Sequence, residues 1–302
     1  MSTSPATQRP VLGVFWMLVT GILFVGVTAL VKYLGTDIPA PQAAFIRYAL
    51  GLIFVIPMIR PILNARLTRR QWGLFTLRGL AHSAGVSLWF FAMARIPIAD
   101  VTAMNYLSPI YVTIGAALFL GERLALRRVI AVVVALIGAL IILRPGFREV
   151  GAGHMAMLLA AVVFGASYLL AKVLTDEVNA IVVVGMLSLW VTVGLAPMAA
   201  SVWVPTDLHT IAVLFGVACL ATSGHYTMTL AFRCAPLTVT QPVTFLQLVW
   251  AVLVGAVFFG EAVDPWVIVG GLVILGSVSF ITWREAMLKR RAVTPAAPAT
   301  KV

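Results

Sequence analysis

The chain has 302 residues, 62% of them hydrophobic and 10% charged, with a mean hydropathy of +1.05 and a formal net charge of +11. Soluble domains carry about 25% charged residues, so the composition excludes one and describes an integral membrane protein. The positive charge reads as a membrane-topology signal and not as a nucleic-acid surface, and Cys219 and Cys234 lack the spacing of a disulfide framework or a metal site.

In chain order, residues 1–10 form a short polar tail. The apolar run that follows is too long for a signal-peptide core and has no cleavage-like site after it, so it reads as a retained first helix. About 20 apolar residues cross the hydrocarbon, and ten segments qualify: 11–34, 42–59, 72–96, 99–120, 128–144, 154–174, 180–203, 211–232, 238–259 and 265–283. The fifth is short, with Arg128 and Arg144 placed to snorkel from its ends. Every connection is short, so neighbouring helices run antiparallel and no gap holds a soluble domain. Residues 284–302 are basic and then Pro/Ala-rich, the composition of a disordered cytoplasmic tail.

With the N-terminus in the cytoplasm, sixteen Lys and Arg residues fall inside, Arg60, Arg66, Arg69, Arg70 and Arg78 among them. Only Lys32, Arg95, Arg144 and Arg148 fall outside, and Arg47 falls within a span. The bias predicts both termini in the cytoplasm of a multi-pass protein of the cell inner (plasma) membrane. Trp72, Trp203, Trp266 and Trp283 stand near segment ends, as an interfacial aromatic belt requires.

A repeat runs through the chain. FLGER at 119–123 returns as FFGEA at 258–262, so Gly121-Glu122 meets Gly260-Glu261. At the same offset Gly85 meets Gly224 and Pro97 meets Pro236; one residue further along, Phe24 meets Phe164 and Lys32 meets Lys172. The repeats cover 11–144 and 154–283, five helices each. An odd number turns the second repeat upside down, which puts Glu122 on the cytoplasmic side and Glu261 outside. The expected fold is therefore all-α: ten transmembrane helices in two inverted five-helix repeats. Such halves exchange inward-open and outward-open shapes around a site near the bilayer midplane. These features, with the segment AMARIPIADVTAMNYLSPIYVTIGAALFLGE at 92–122, resemble the EamA type of the drug/metabolite transporter superfamily over residues 11–283. The resemblance implies a carrier of small molecules and leaves the substrate open. The second repeat departs from the first, since Pro109 is matched by Leu248 and Pro242 has no partner, so the site is expected to be asymmetric.

Polar groups inside a membrane are costly and mark function. Arg47 either snorkels or anchors an anionic group of the solute. His82 shares a helix face with Gly85 and Trp89 and serves packing, substrate contact or proton transfer. His225 is not its repeat-mate. Asn105 and Tyr106 on the fourth segment, and Gln241 and Gln247 on the ninth, occupy corresponding stretches of the two repeats; such groups either join helices or line a cavity, and Pro109 and Pro242 would free nearby carbonyls. Trp89 and Tyr168 are core packing or a stacking wall for a planar solute. Gly121, Glu122, Gly260 and Glu261 read as helix ends whose Glu bonds a neighbouring backbone or cation, with gating as the other reading.

All ten carboxylates lie in loops or near segment ends, so no buried relay for protons is visible. No HExxH, Walker motif or nucleophile elbow occurs, and no cofactor is expected. The reading is a secondary transporter or facilitator of small organic metabolites, exporting an amino-acid-like or amphipathic solute. The alternative is uptake of a vitamin such as riboflavin; a membrane enzyme or a non-transporting scaffold represent other classes. The partners are a small-molecule substrate and the bilayer, with no nucleic acid and an unassigned oligomeric state.

Overall fold

The computed structural model describes residues 10–119, 126–147, 149–235 and 243–293, which contain helices and no strand. Helix α1 is Pro10–Leu34. Helix α2, Ala40–Gly51, follows Pro39 at its N-cap and runs into a 3₁₀ segment, Leu52–Met58, that contains Pro57. A proline inside a helix removes one ladder hydrogen bond and crowds the preceding turn, which accounts for the change of helix type before α3, Ile59–Leu63. Helix α4, Arg69–Met93, opens with a capping box in which Thr68 and Gln71 satisfy each other's backbone N–H.

The run expected as one helix over 99–120 is two: α5, Ile98–Asn105, and α6, Ser108–Phe119. Pro109 lacks the N–H that would bond the carbonyl of Asn105, so the ladder stops there. Helix α7 is Leu126–Leu143, α8 is Ala152–Glu177 and α9 is Ala180–Ala200. Helix α10, Leu208–Cys234, is capped by Asp207 on the Thr210 N–H. Helix α11, Phe245–Phe259, ends on Gly260 with φ +63°, the left-handed cap that glycine adopts without strain. Helix α12 is Pro265–Val293. Among the described residues, seven helical segments of 20–24 residues are long and apolar enough to cross a membrane, and shorter apolar helices occupy 129–143 and 246–259. This is a multi-pass integral membrane protein.

Packing between the halves is reciprocal. α1 lies on α10 as α8 lies on α4; α2 meets α9, α5 meets α11, and α7 meets α12. Small residues allow the close approaches on which helix association in lipid depends. A Cβ on Gly85 would come within 2.8 Å of the Phe164 ring, and one on Gly224 within 3.3 Å of the Phe24 ring. Gly13 abuts Ala235 as Gly153 abuts Ile96. Gly138 and Gly270 bring α7 and α12 together backbone to backbone.

The bundle has two ends, each identified by its contacts. At one, Lys32, Ile96, Asp100, Arg144, His154, Glu261 and Asp264 come together. At the other, Arg70 and Gln71 meet Glu177. They are the Lys32 end and the Glu177 end below.

Candidate functional site

Helix α4 carries Arg78, His82, Gly85 and Trp89 at helical spacing, on one face. The facing wall is α8, with Phe164, Ser167 and Tyr168. His82 Nδ1 and Ser167 Oγ share a hydrogen bond of 3.1 Å. The His82 ring lies 5.0 Å from that of Phe164 and 6.3 Å from that of Tyr168. Phe164 stacks on Tyr168 at 6.1 Å with planes 21° apart, and Trp89 meets Phe164 edge-on at 6.3 Å. The missing side chain of Gly85 makes this approach possible.

Two arginines belong to the same region, Arg78 on α4 and Arg47 on α2, which packs against α4 and α10. Arg47 on α2 holds its guanidinium 4.0 Å from the Tyr48 ring, a cation–π contact. Arg78, His225 and Arg47 lie near enough to act electrostatically on His82, and Arg47 acts on His225 as well. His225 meets Phe24 of α1 edge-on at 5.1 Å. Tyr168 keeps 44% of its surface exposed and His225 is exposed, whereas His82 and Phe164 are buried between the helices. The region is aromatic and positively charged, and its polar groups are ring nitrogens, hydroxyls and guanidinium N–H donors.

Five residues singled out from the sequence thus converge: Arg47, His82, Trp89, Tyr168 and His225. Tyr106 is engaged elsewhere, its hydroxyl donating to the Thr244 carbonyl at 2.9 Å and tying the α5 end to the α11 start. Asn105 is the last residue of α5 and half-buried. Gln247 packs its Cβ beside Gly21 of α1. Gln241, Gly121 and Glu122 lie outside the described residues, as do Pro236 and Pro242.

Two groups differ from expectation. Arg78, counted among the cytoplasmic positives, stands inside α4 with 6% of its surface exposed, and its Nη1 donates to the Val183 carbonyl of α9 at 3.0 Å. The apolar run 72–96 placed Arg78 near a boundary; α4 in fact begins at Arg69, more than two turns earlier. Asp100 is at a helix start, as its sequence position suggests, but it is 1% exposed and paired with His154 at 3.0 Å.

The Lys32 end is closed by contacts between the halves. Glu261 accepts the Ile98 N–H at 2.9 Å, at the positive end of the α5 dipole, and pairs with Lys32 at 2.6 Å. Lys32 also donates to the Ile96 carbonyl at 2.8 Å. Gly255 leaves the space into which the Glu261 carboxylate folds. Arg144 pairs with Asp264. Gln42 holds the 201–207 loop through both the N–H and the carbonyl of Val204.

The sequence profile of the EamA-like transporter family matches residues 11–144 and again 151–283. The chain belongs to the EamA-like transporter family. Among its relatives in this family, it is 32% identical to the riboflavin transporter of Rhizobium johnstonii, over 94% of this chain and 95% of that one. It is 29% identical to the riboflavin transporter of Vibrio cholerae, over 94% and 97%. It is 26% identical to the pseudopaline exporter of Pseudomonas aeruginosa, over 87% and 93%. All three relatives are named as transporters, and this EamA-like protein is a small-molecule transporter.

Proposed function

We propose that the protein is a secondary carrier that takes up a planar, amphipathic solute of the riboflavin type by alternating access. The observation that carries this reading is the aromatic cluster of Trp89, Phe164 and Tyr168 between α4 and α8, with His82 among the rings and Arg78 one turn away. Aromatic faces suit a flat ring system, and the surrounding N–H donors suit its carbonyl and ring-nitrogen acceptors. Two riboflavin transporters among the relatives, each matched over 94% of this chain, support the same substrate class.

In this reading α2 with α3 forms one span and α5 with α6 another, giving ten crossings in two inverted repeats, 11–144 and 154–283. The reciprocal pairs Gly85–Phe164 and Gly224–Phe24 support that arrangement. The Glu177 end, near Arg60, Arg66, Arg69 and Arg70, is cytoplasmic; the Lys32 end faces out; both termini lie in the cytoplasm of an inner membrane. The protein is a carrier and not an enzyme. Uptake of a planar solute ranks ahead of the export of an amino-acid-like one because the cluster between α4 and α8 is aromatic. Export remains the second reading, favoured by the similarity to a pseudopaline exporter.

The test is growth. A bacterium that neither makes nor imports riboflavin should grow at low external riboflavin when it expresses this chain. Expression in the membrane without rescue of growth contradicts uptake, and faster loss of preloaded flavin would favour export.

A further inference from the structure

Among the described residues Arg78 has no counter-ion. The ion pairs among the described residues are Lys32–Glu261, Arg70–Glu177, Arg144–Asp264 and His154–Asp100, and none includes it. Its Nη1 bonds the Val183 carbonyl, while its Nε is buried without a hydrogen-bond partner. It stands nine residues into α4 from Arg69, a rise of about 13 Å, so it lies well away from the cluster of arginines at the helix start. A buried charge that is neither paired nor fully bonded is expensive and, inside a membrane protein, points to a ligand.

Its surroundings describe that ligand. Arg78 lies one turn from His82, on the face that continues through Gly85 to Trp89. That face packs against Phe164 and Tyr168 of α8 to make a cluster of rings between the two helices. Arg78 stands at the end of the cluster nearer Glu177, one turn beyond His82. A guanidinium presents adjacent donors in a rigid fork, matched by two neighbouring acceptors on a planar edge. A dione or carboxylate edge has such acceptors; a bare hydrocarbon edge does not.

We propose that Arg78 is a specificity-determining residue that binds the acceptor edge of a planar solute through Nε and its remaining terminal nitrogen. The assignment rests on the planar-solute reading above and adds to it: the solute binds beside the ring cluster of α4 and α8 with a dione, imide or carboxylate edge directed toward the Glu177 end. Arg47, on another helix, is left to meet the remainder of the molecule.

The experiment uses two flat tricyclic probes with purified, full-length protein in detergent. Lumiflavin carries a dione edge, and phenazine has none. Binding is followed by ligand and tryptophan fluorescence. The wild type should bind lumiflavin about tenfold more tightly than phenazine, and Arg78→Gln should lose about tenfold in lumiflavin affinity with phenazine affinity unchanged. Should Arg78→Gln fail to reach the membrane, Arg78→Lys serves instead: it keeps the charge and loses the fork, and it should lose most of the preference. Retention of the preference by the variant, or equal loss for both probes, makes Arg78 a tether to α9 and overturns the assignment while the planar-solute reading stands. A wild type that binds neither probe overturns that reading, and this assignment with it.

Discussion

His82 sits between Ser167 and two aromatic rings, with Arg78 one turn below it and Arg47 facing it from α2. Replacing it by Ala removes one interhelical hydrogen bond, a loss of about 1 kcal/mol, and takes one ring out of the cluster. His82→Ala should therefore keep most of its thermal stability and lose substrate affinity, measured as a raised KM at normal membrane abundance. Arg47 is the sharper case. Its repeat position is Leu187, so the two halves do not both require a cation there for folding. Arg47→Lys should lose most transport while keeping its thermal midpoint, because a lysine keeps the charge but lacks the planar fork. Normal transport by Arg47→Lys, or failure of Arg47→Ala to accumulate, would make the residue structural. Arg47, His82, Trp89, Tyr168 and His225 were legible in the sequence because polar and aromatic groups stand out in apolar helices. Arg78 was not, since the charge-rich start of α4 hid its depth. Phe164 and Ser167 were not either, since neither stands out until α8 is laid against α4.

At the scale of the element, glycines set the spacing between helices. Gly85→Leu would force a side chain into the Phe164 ring. Overpacking of this kind costs about 1–3 kcal/mol, so the variant should melt several degrees lower and bind flavins weakly. Gly73→Ala, on the same helix with open space around its Cβ, is the control and should do neither. The break between α5 and α6 follows from Pro109, a signal present in the sequence but absorbed there into one long apolar run. At the Lys32 end, Glu261→Gln keeps an acceptor for the Ile98 N–H but leaves Lys32 without its charge partner. The pair is partly buried, so breaking it from one side costs less than the about 3–5 kcal/mol of a fully buried pair, and the variant should open that end more readily, seen as faster thiol labelling of a cysteine placed at Ala99. At the Glu177 end, the hydrogen bond from Arg70 holds the exposed Glu177 carboxyl below its ordinary value. A lowered value stabilises the fold above the usual carboxylate range and ceases to do so as pH falls through the depressed one. Glu177→Gln should thus differ from the wild type at neutral pH and converge with it in acid.

Across the whole molecule, the internal repeat was the most legible feature, because Gly-Glu, Pro and Lys recur at a nearly constant offset where leucine and alanine would match by chance. What the repeat did not disclose is how the halves interlock. α1 of one half packs on α10 of the other, and α8 on α4, a pairing that depends on side-chain size across helices distant in sequence. The orientation of the molecule rests on the charge bias. With Cys219 and Cys234 replaced, an impermeant thiol reagent on intact cells should label a cysteine at position 206 and spare one at position 68; the reverse pattern would invert the arrangement. The central claim is that this bundle carries a planar solute across the membrane past the aromatic cluster of α4 and α8. Counterflow of radiolabelled riboflavin in proteoliposomes tests it most directly. Vesicles preloaded with unlabelled riboflavin should accumulate label transiently with the wild type and lose that overshoot with Arg47→Lys, whereas label entering wild-type vesicles no faster than protein-free ones would contradict the account.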